Sequence, residues 1–251
     1  MNKKYGLYDV TKLSRTIILL SLLIMIVSTA AAAAEDSRFL DIKREVYYES
    51  DKNYPALPEL VNTIPESHPE KWAKKQFGVD ENPRGIIGNE VVNYSFITPR
   101  GWKVENTYRR FSPDEDGVIF RLTGKDGVWG AIFKVDLSGR SVENPRELAR
   151  HYLDNRAQFY GLLEDGNPED IKSADHLLVG FSTKGSELIT QYESYSTLES
   201  PEGSFASLAH YHVAAERGYV VDIYIPAGEL DERSRSTAYI IGKSFIAYRF
   251  R

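Results

Sequence analysis

The residues with the most chemical potential lie near the C-terminus. His210 and His212 stand two apart in one alternating run, and Asp222 and Tyr224 stand two apart in the next. An imidazole oriented by a carboxylate can act as a general base, and two histidines with an aspartate can begin a metal site. On a strand, Ala209, Tyr211, Val213 and Ala215 point one way and the two histidines the other. In the following run Tyr219, Val221, Ile223 and Ile225 form the apolar side, leaving Asp222 and Tyr224 opposite. Matching the apolar sides across a hairpin calls for a three-residue loop, Glu216-Arg217-Gly218, with Gly218 left-handed. That register pairs His212 with Asp222 and His210 with Tyr224, and these four are the candidate binding residues. One reading is a structural cross-strand polar pair, worth about 0.2–1 kcal/mol. The other is a metal-dependent or hydrolytic centre. A metal centre needs a third or fourth ligand and an open position, and the sequence does not show where either would come from. No catalytic residue, metal or cofactor is therefore assigned.

Other patterns fall short of a mechanism. Phosphate loops of the Walker type, G-x-G-x-x-G and H-E-x-x-H are absent. Gly180-Phe-Ser182-Thr-Lys-Gly185 has one residue too many for a nucleophile elbow, so Ser182 reads as a strand-end residue. Asp114, Asp116 and Gly117 imitate the middle of a calcium loop, but the twelfth position counted from Ser112 is Thr123 instead of a bidentate Glu, and a turn explains them. The chain has no cysteine, which excludes thiolate metal sites and a cysteine nucleophile. Sixteen tyrosines suit half-buried strands and, where several cluster on an exposed face, a protein interface.

The elements that must position these residues begin at Val91, where short β-rich runs punctuated by Gly and Pro replace an irregular, proline-containing stretch. Strands are expected over 91–98, 102–108, 118–123 and 128–137, and the short gaps between them favour antiparallel neighbours. Asn144-Pro145-Arg-Glu147 starts a helix with a capping residue and proline at the first helical position. Leu148, Tyr152 and Phe159, beside Ala149, Leu153 and Tyr160, give it a wide apolar stripe, and Gly161 stops it. Further strands are expected over 176–182, 187–198, 205–215 and 219–226, then a helix over 230–244. Runs of strands broken by one helix and closed by another predict an α+β fold, an antiparallel β-sheet flanked by helices in an α/β/α sandwich. The 35–90 stretch reads as an extended leader with a short helix near 70–77, and residues 91–251 as the folding domain.

Four segments in order resemble the PsbP family. Tyr94-Ser-Phe-Ile-Thr-Pro99-Arg-Gly-Trp102 is similar to its opening strand and turn, and Glu143-Asn-Pro-Arg-Glu-Leu-Ala to its mid-chain helix. Gly218-Tyr-Val-Val-Asp-Ile-Tyr is similar to its last long strand, and Ile241-Gly-Lys-Ser-Phe245 to the end of its C-terminal helix. The likeness covers about residues 91–250. It implies the fold of extrinsic photosystem II subunits, their bacterial and lumenal relatives and a Ran-GTPase-binding factor, and an accessory or binding role in place of catalysis.

Residues 1–34 follow the order of a secretory signal: Lys3, Lys4, Lys12 and Arg15, an uncharged run from Thr16, then alanines. Cleavage is expected between Ala34 and Glu35, with an uncleaved membrane anchor as the alternative. Either way the remainder is exported, periplasmic or extracellular. Removing residues 1–34 takes away four basic residues and one acidic residue, so the formal net charge moves from −5 to −8. Nucleic acid and anionic lipid need clustered cations and are excluded as principal partners. With 42% hydrophobic and 27% charged residues the chain can build a core. The function expected is that of an exported non-catalytic accessory or binding protein of the cell envelope acting on a protein partner, the alternative being an enzyme built on the His210, His212 and Asp222 face.

Overall fold

A computed structural model describes residues 46–49, 77–81, 83–88, 90–106, 110–139, 144–163, 166, 176–182, 189–201, 203–214 and 216–249. All of them belong to a unit spanning Asp41–Arg251. The signal segment with its Ala34–Glu35 junction, and most of the expected 70–77 helix, lie outside the described residues; Phe77 itself opens a strand.

Eight strands form the larger sheet. They are β1 (Val46–Glu49), β5 (Lys103–Asn106), β7 (Gly117–Thr123), β8 (Trp129–Val135), β9 (His176–Ser182), β10 (Ile189–Ser200), β11 (Gly203–Ala214) and β12 (Arg217–Pro226). Their order is β1-β9-β10-β11-β12-β8-β7-β5, every pairing antiparallel. Ser182 closes β9, as a strand-end residue should. A smaller sheet is centred on β4 (Glu90–Pro99), which pairs with β2 (Phe77–Glu81) and β3 (Arg84–Ile87) along one edge and with β13 (Ile246–Arg249). The two-residue β6 (Arg110–Phe111) adds a parallel pairing to β3.

Helices cover both faces of the larger sheet. On one face lie α1 (Pro145–Asp154) and α2 (Arg156–Gly161), a single helix in the sequence pattern that the structure breaks at Asn155, φ −115°. Asn144 caps α1 by accepting from the amides of Arg146 at 3.1 Å and Glu147 at 3.3 Å, which satisfies two of the helix's free donors. Leu148, Ala149, Tyr152 and Phe159 pack against Ala131, Phe133, Leu178, Tyr211 and Val220. The other face is covered by α3 (Glu232–Ser244) and by the smaller sheet. α3 is opened by a reciprocal capping box between Asp231 and Ser234. Tyr94 meets Phe120 and Tyr219 edge-on, with ring centroids 5.3 and 5.8 Å apart, and stacks on Phe245. Antiparallel sheets with helices against them make this an α+β fold.

Three strands come from the stretch read as a leader. β2 and β3 share one register on β4, and the Tyr94 amide donates to the Pro83 carbonyl between them at 3.0 Å. Pairing with the folded sheets thus begins well before Val91. The local reason is legible afterwards: Gly88-Asn89 is a hairpin dipeptide, and Gly88 takes φ 59° in the turn between Ile87 and Glu90. A chain starting at residue 88 should unfold at a lower temperature than one starting at residue 41, because β4 would lose β2 and β3 along one edge and β9 would lose β1. Each kcal/mol lost moves a domain of this size by about 2–4 °C. Equal melting temperatures for the two chains would show that β1, β2 and β3 add nothing to stability.

Candidate functional site

β12 sits between β11 and β8, and its residues Gly218 to Ile225 are all buried. The hairpin that leads into it decides the fate of the four candidate residues. Ala214 pairs with Arg217, so the turn has two residues, at 215 and 216, with Glu216 at φ 61°. The three-residue loop expected from the sequence is not formed. His210 stands opposite Val221, His212 opposite Tyr219, Asp222 opposite Ala209 and Tyr224 opposite Ser207. His212 does not pair with Asp222, nor His210 with Tyr224: the histidines and the Asp222–Tyr224 pair lie on opposite faces of the sheet. Matching apolar side to apolar side fails because both faces of β12 are covered, and each carries its own apolar residues. Gly218 is glycine for a different reason from the left-handed turn expected of it. A Cβ there would come within 2.8 Å of Leu148 Cδ1, so the residue lets α1 approach the sheet.

On the α1–α2 face, Asp222 is the hub of a buried network. Its Oδ2 accepts from Arg156 at 2.8 Å and from the Tyr152 hydroxyl at 2.7 Å, while Oδ1 accepts from Ser207 at 2.5 Å. Arg156 also reaches Ser207, and the Tyr152 and Tyr224 hydroxyls lie 3.3 Å apart. Trp129 stacks on Tyr224 with centroids 4.0 Å apart. Burial opposes the charge on Arg156, but Asp222, and after it Tyr152 and Tyr224, raise its pKa above the ordinary arginine value. Burial, followed by Asp222, pushes both tyrosines well above the ordinary phenol. These are phenols and a guanidinium held in fixed protonation states, with Asp222 wholly buried.

On the α3 face the histidines have other partners. The His210 Nε2 atom is 3.5 Å from Glu193 Oε1, and Glu193 Oε2 accepts from the Tyr195 hydroxyl at 2.9 Å. His212 Nε2 donates to the Gly242 carbonyl of α3 at 2.9 Å. Burial, then the neighbouring His210, pushes the His212 imidazole down to about 3. Among the described residues no group of three His, Asp or Glu side chains is placed to hold a metal ion.

The loop that imitates a calcium site has a cation of its own. Lys134, buried on β8, points its ammonium at the carbonyls of Pro113, at 2.8 Å, and Glu115. Asp116 Oδ1 accepts from the Asp136 amide at 2.6 Å. Burial lowers the Lys134 pKa, against the pull of Asp116 and Asp136. An open cleft of about 310 Å³ at the start of α3 is lined by Arg100, Trp102, Lys125, Asp126 and Arg233, among others, and brings together charges of both signs.

Sequence reasoning missed Arg156 and Glu193 as partners. Arg156 had a legible signal: it falls four residues after Tyr152 and three before Phe159, on the apolar ridge of the helix, where a charge demands a counter-charge. No protein-family model matches the chain, and no curated protein matches it.

Replacing Asp222 by Asn should destabilise the protein by about 3–5 kcal/mol, because the Arg156 charge would be left buried without its counter-charge. An Arg156→Met, Asp222→Leu double variant should recover much of that loss. Urea unfolding of the three proteins checks both statements, and a double variant as unstable as the single one would show that the pair contributes more than charge compensation.

Proposed function

We propose that the protein is an exported, non-catalytic accessory or binding protein of the cell envelope that acts through protein–protein contacts. The observation that carries this reading is a surface. Ile86, Val91, Ile246 and Tyr248 are each 41–46% exposed. Ile86 stands opposite Val91, Ile246 opposite Ser95 and Tyr248 opposite Asn93, so by strand alternation all four share the outward face of the smaller sheet. Large apolar side chains gathered on one exposed face favour a partner protein over solvent.

Two sequence features support the reading. The likeness of residues 91–250 to the PsbP family favours an accessory role, and the basic, apolar, small order of residues 1–34 favours export with cleavage after Ala34. The interior histidine and aspartate networks are consistent with it, since each joins a helix to the sheet.

A photo-reactive amino acid placed at Tyr248 or at Ile86 should give the same cross-linked envelope protein, whereas one at the exposed Asp126 in the β7–β8 turn should not. An Ile86→Asp, Ile246→Asp variant should lose the adduct while changing stability by roughly 0.5 kcal/mol or less per site. Absence of any position-dependent adduct would remove the proposed surface. The mature form captured in the same experiment should begin at Glu35, and N-terminal sequencing that returned Met1 would replace cleavage by anchoring.

A further inference from the structure

We propose that Glu193, His210 and His212 form an acid-sensitive latch that loosens α3 from the larger sheet under mild acid while the sheet itself stays folded. The three residues lie where β10 and β11 pass beneath α3. Glu193 and His210 are directly opposite in the β10–β11 register, and His212 is two residues along the same face. Above them the helix is in close contact. A Cβ on Gly242 would fall 2.1 Å from His210 Nδ1, Tyr239 lies 5.7 Å from the His210 ring between centroids, and the Gly242 carbonyl accepts from His212. Phe245, just past the helix, packs on His212 at 5.3 Å.

The charges around this cluster limit how many protons it can hold. From β10 come Glu193 and the Tyr195 hydroxyl bonded to it; from β12, Tyr219 and, two residues before it, Arg217, which is paired with Glu90 of β4 at 2.8 Å; from β8, Lys134, whose ammonium is turned to the 113–115 carbonyls; from α3, Tyr239 and Lys243; and from β4, Tyr94. Glu193 is the one carboxylate touching the histidines among these groups. It can balance a single positive charge. The Gly242 carbonyl and Glu193 favour protonation of His212, but burial, His210 and Lys243 oppose it more strongly.

An imidazole held neutral in the closed state and free to titrate in the open one couples opening to pH. With an ordinary value near 6.5 in the open state, protonation favours opening roughly 20-fold more at pH 5 than at pH 7. The sign is that of a depressed histidine: closure is fully stable above pH 6.5 and weakens as pH falls. What confines the effect to α3 is position. The helix rests on the histidines through its last turns, whereas β11 and β12 are held by their own ladder and by the Asp222 network on the far face.

The test is hydrogen exchange of the full chain at pH 7 and pH 5, corrected for intrinsic rates. Amides of residues 236–244 should lose about 20-fold in protection, and those of 219–225 should not. His212→Gln, which retains a donor for the Gly242 carbonyl without titrating, should abolish the loss. Glu193→Gln should deepen the loss at pH 5, because His210 too would then be closed without its counter-charge, and it serves as an independent variant should His212→Gln fail to fold. Equal loss of protection in α3 and β12, or an unchanged loss in His212→Gln, would overturn the proposal.

Discussion

Every side chain of β12 from Gly218 to Ile225 is buried, so each must find its partner inside the protein. A sheet exposed on one side can let polar residues face water. This one cannot, and its polar residues are accordingly tied to the elements that cover it. Asp222 holds Arg156 of α2 and Tyr152 of α1, while His212 holds the Gly242 carbonyl of α3. The helices are docked by burial of apolar stripes, and these polar contacts set where along the sheet each helix stops.

The two faces use their polar groups differently. Around Asp222 a carboxylate meets a guanidinium and three hydroxyl groups, and burial, followed by Asp222, holds the Tyr152 and Tyr224 phenols protonated. Around Glu193 two imidazoles meet one carboxylate, and burial holds the His212 imidazole neutral while the helix is closed over it. Burial thus makes one cluster a charged anchor, while the other is the latch proposed above. Lys134 is likewise buried, its ammonium satisfied by the carbonyls of Pro113 and Glu115.

The smaller sheet extends the fold in a way that exposes apolar surface. Its inner face supplies Tyr94 and Phe96 to the aromatic layer against Phe120, Tyr219 and Phe245. Its outer face carries Ile86, Val91, Ile246 and Tyr248. One layer therefore serves as core on its inner face, while its outer face exposes apolar side chains at Ile86, Val91 and along β13 even though Asn93, Ser95 and Ile97 of β4 are buried.

The sequence by itself determined the α+β class, most strands of the larger sheet to within a few residues, both helix starts, and the apolar stripe of α1, because strand alternation, helical periodicity and capping chemistry are local. It also carried a signal it was not asked for, the charge of Arg156 on that stripe. Tertiary structure alone decided the register of β11 on β12, and with it whether His212 would meet Asp222. When both faces of a strand are buried, each carries apolar residues, and the alternation that should choose the register no longer distinguishes one from the other. The loop length turned on Gly218, whose glycine is required by the approach of Leu148 from a helix seventy residues earlier and not by the turn beside it. The joining of β2 and β3 to β4 was half legible in Gly88-Asn89, but which strand the hairpin would extend depended on the sheet that received it.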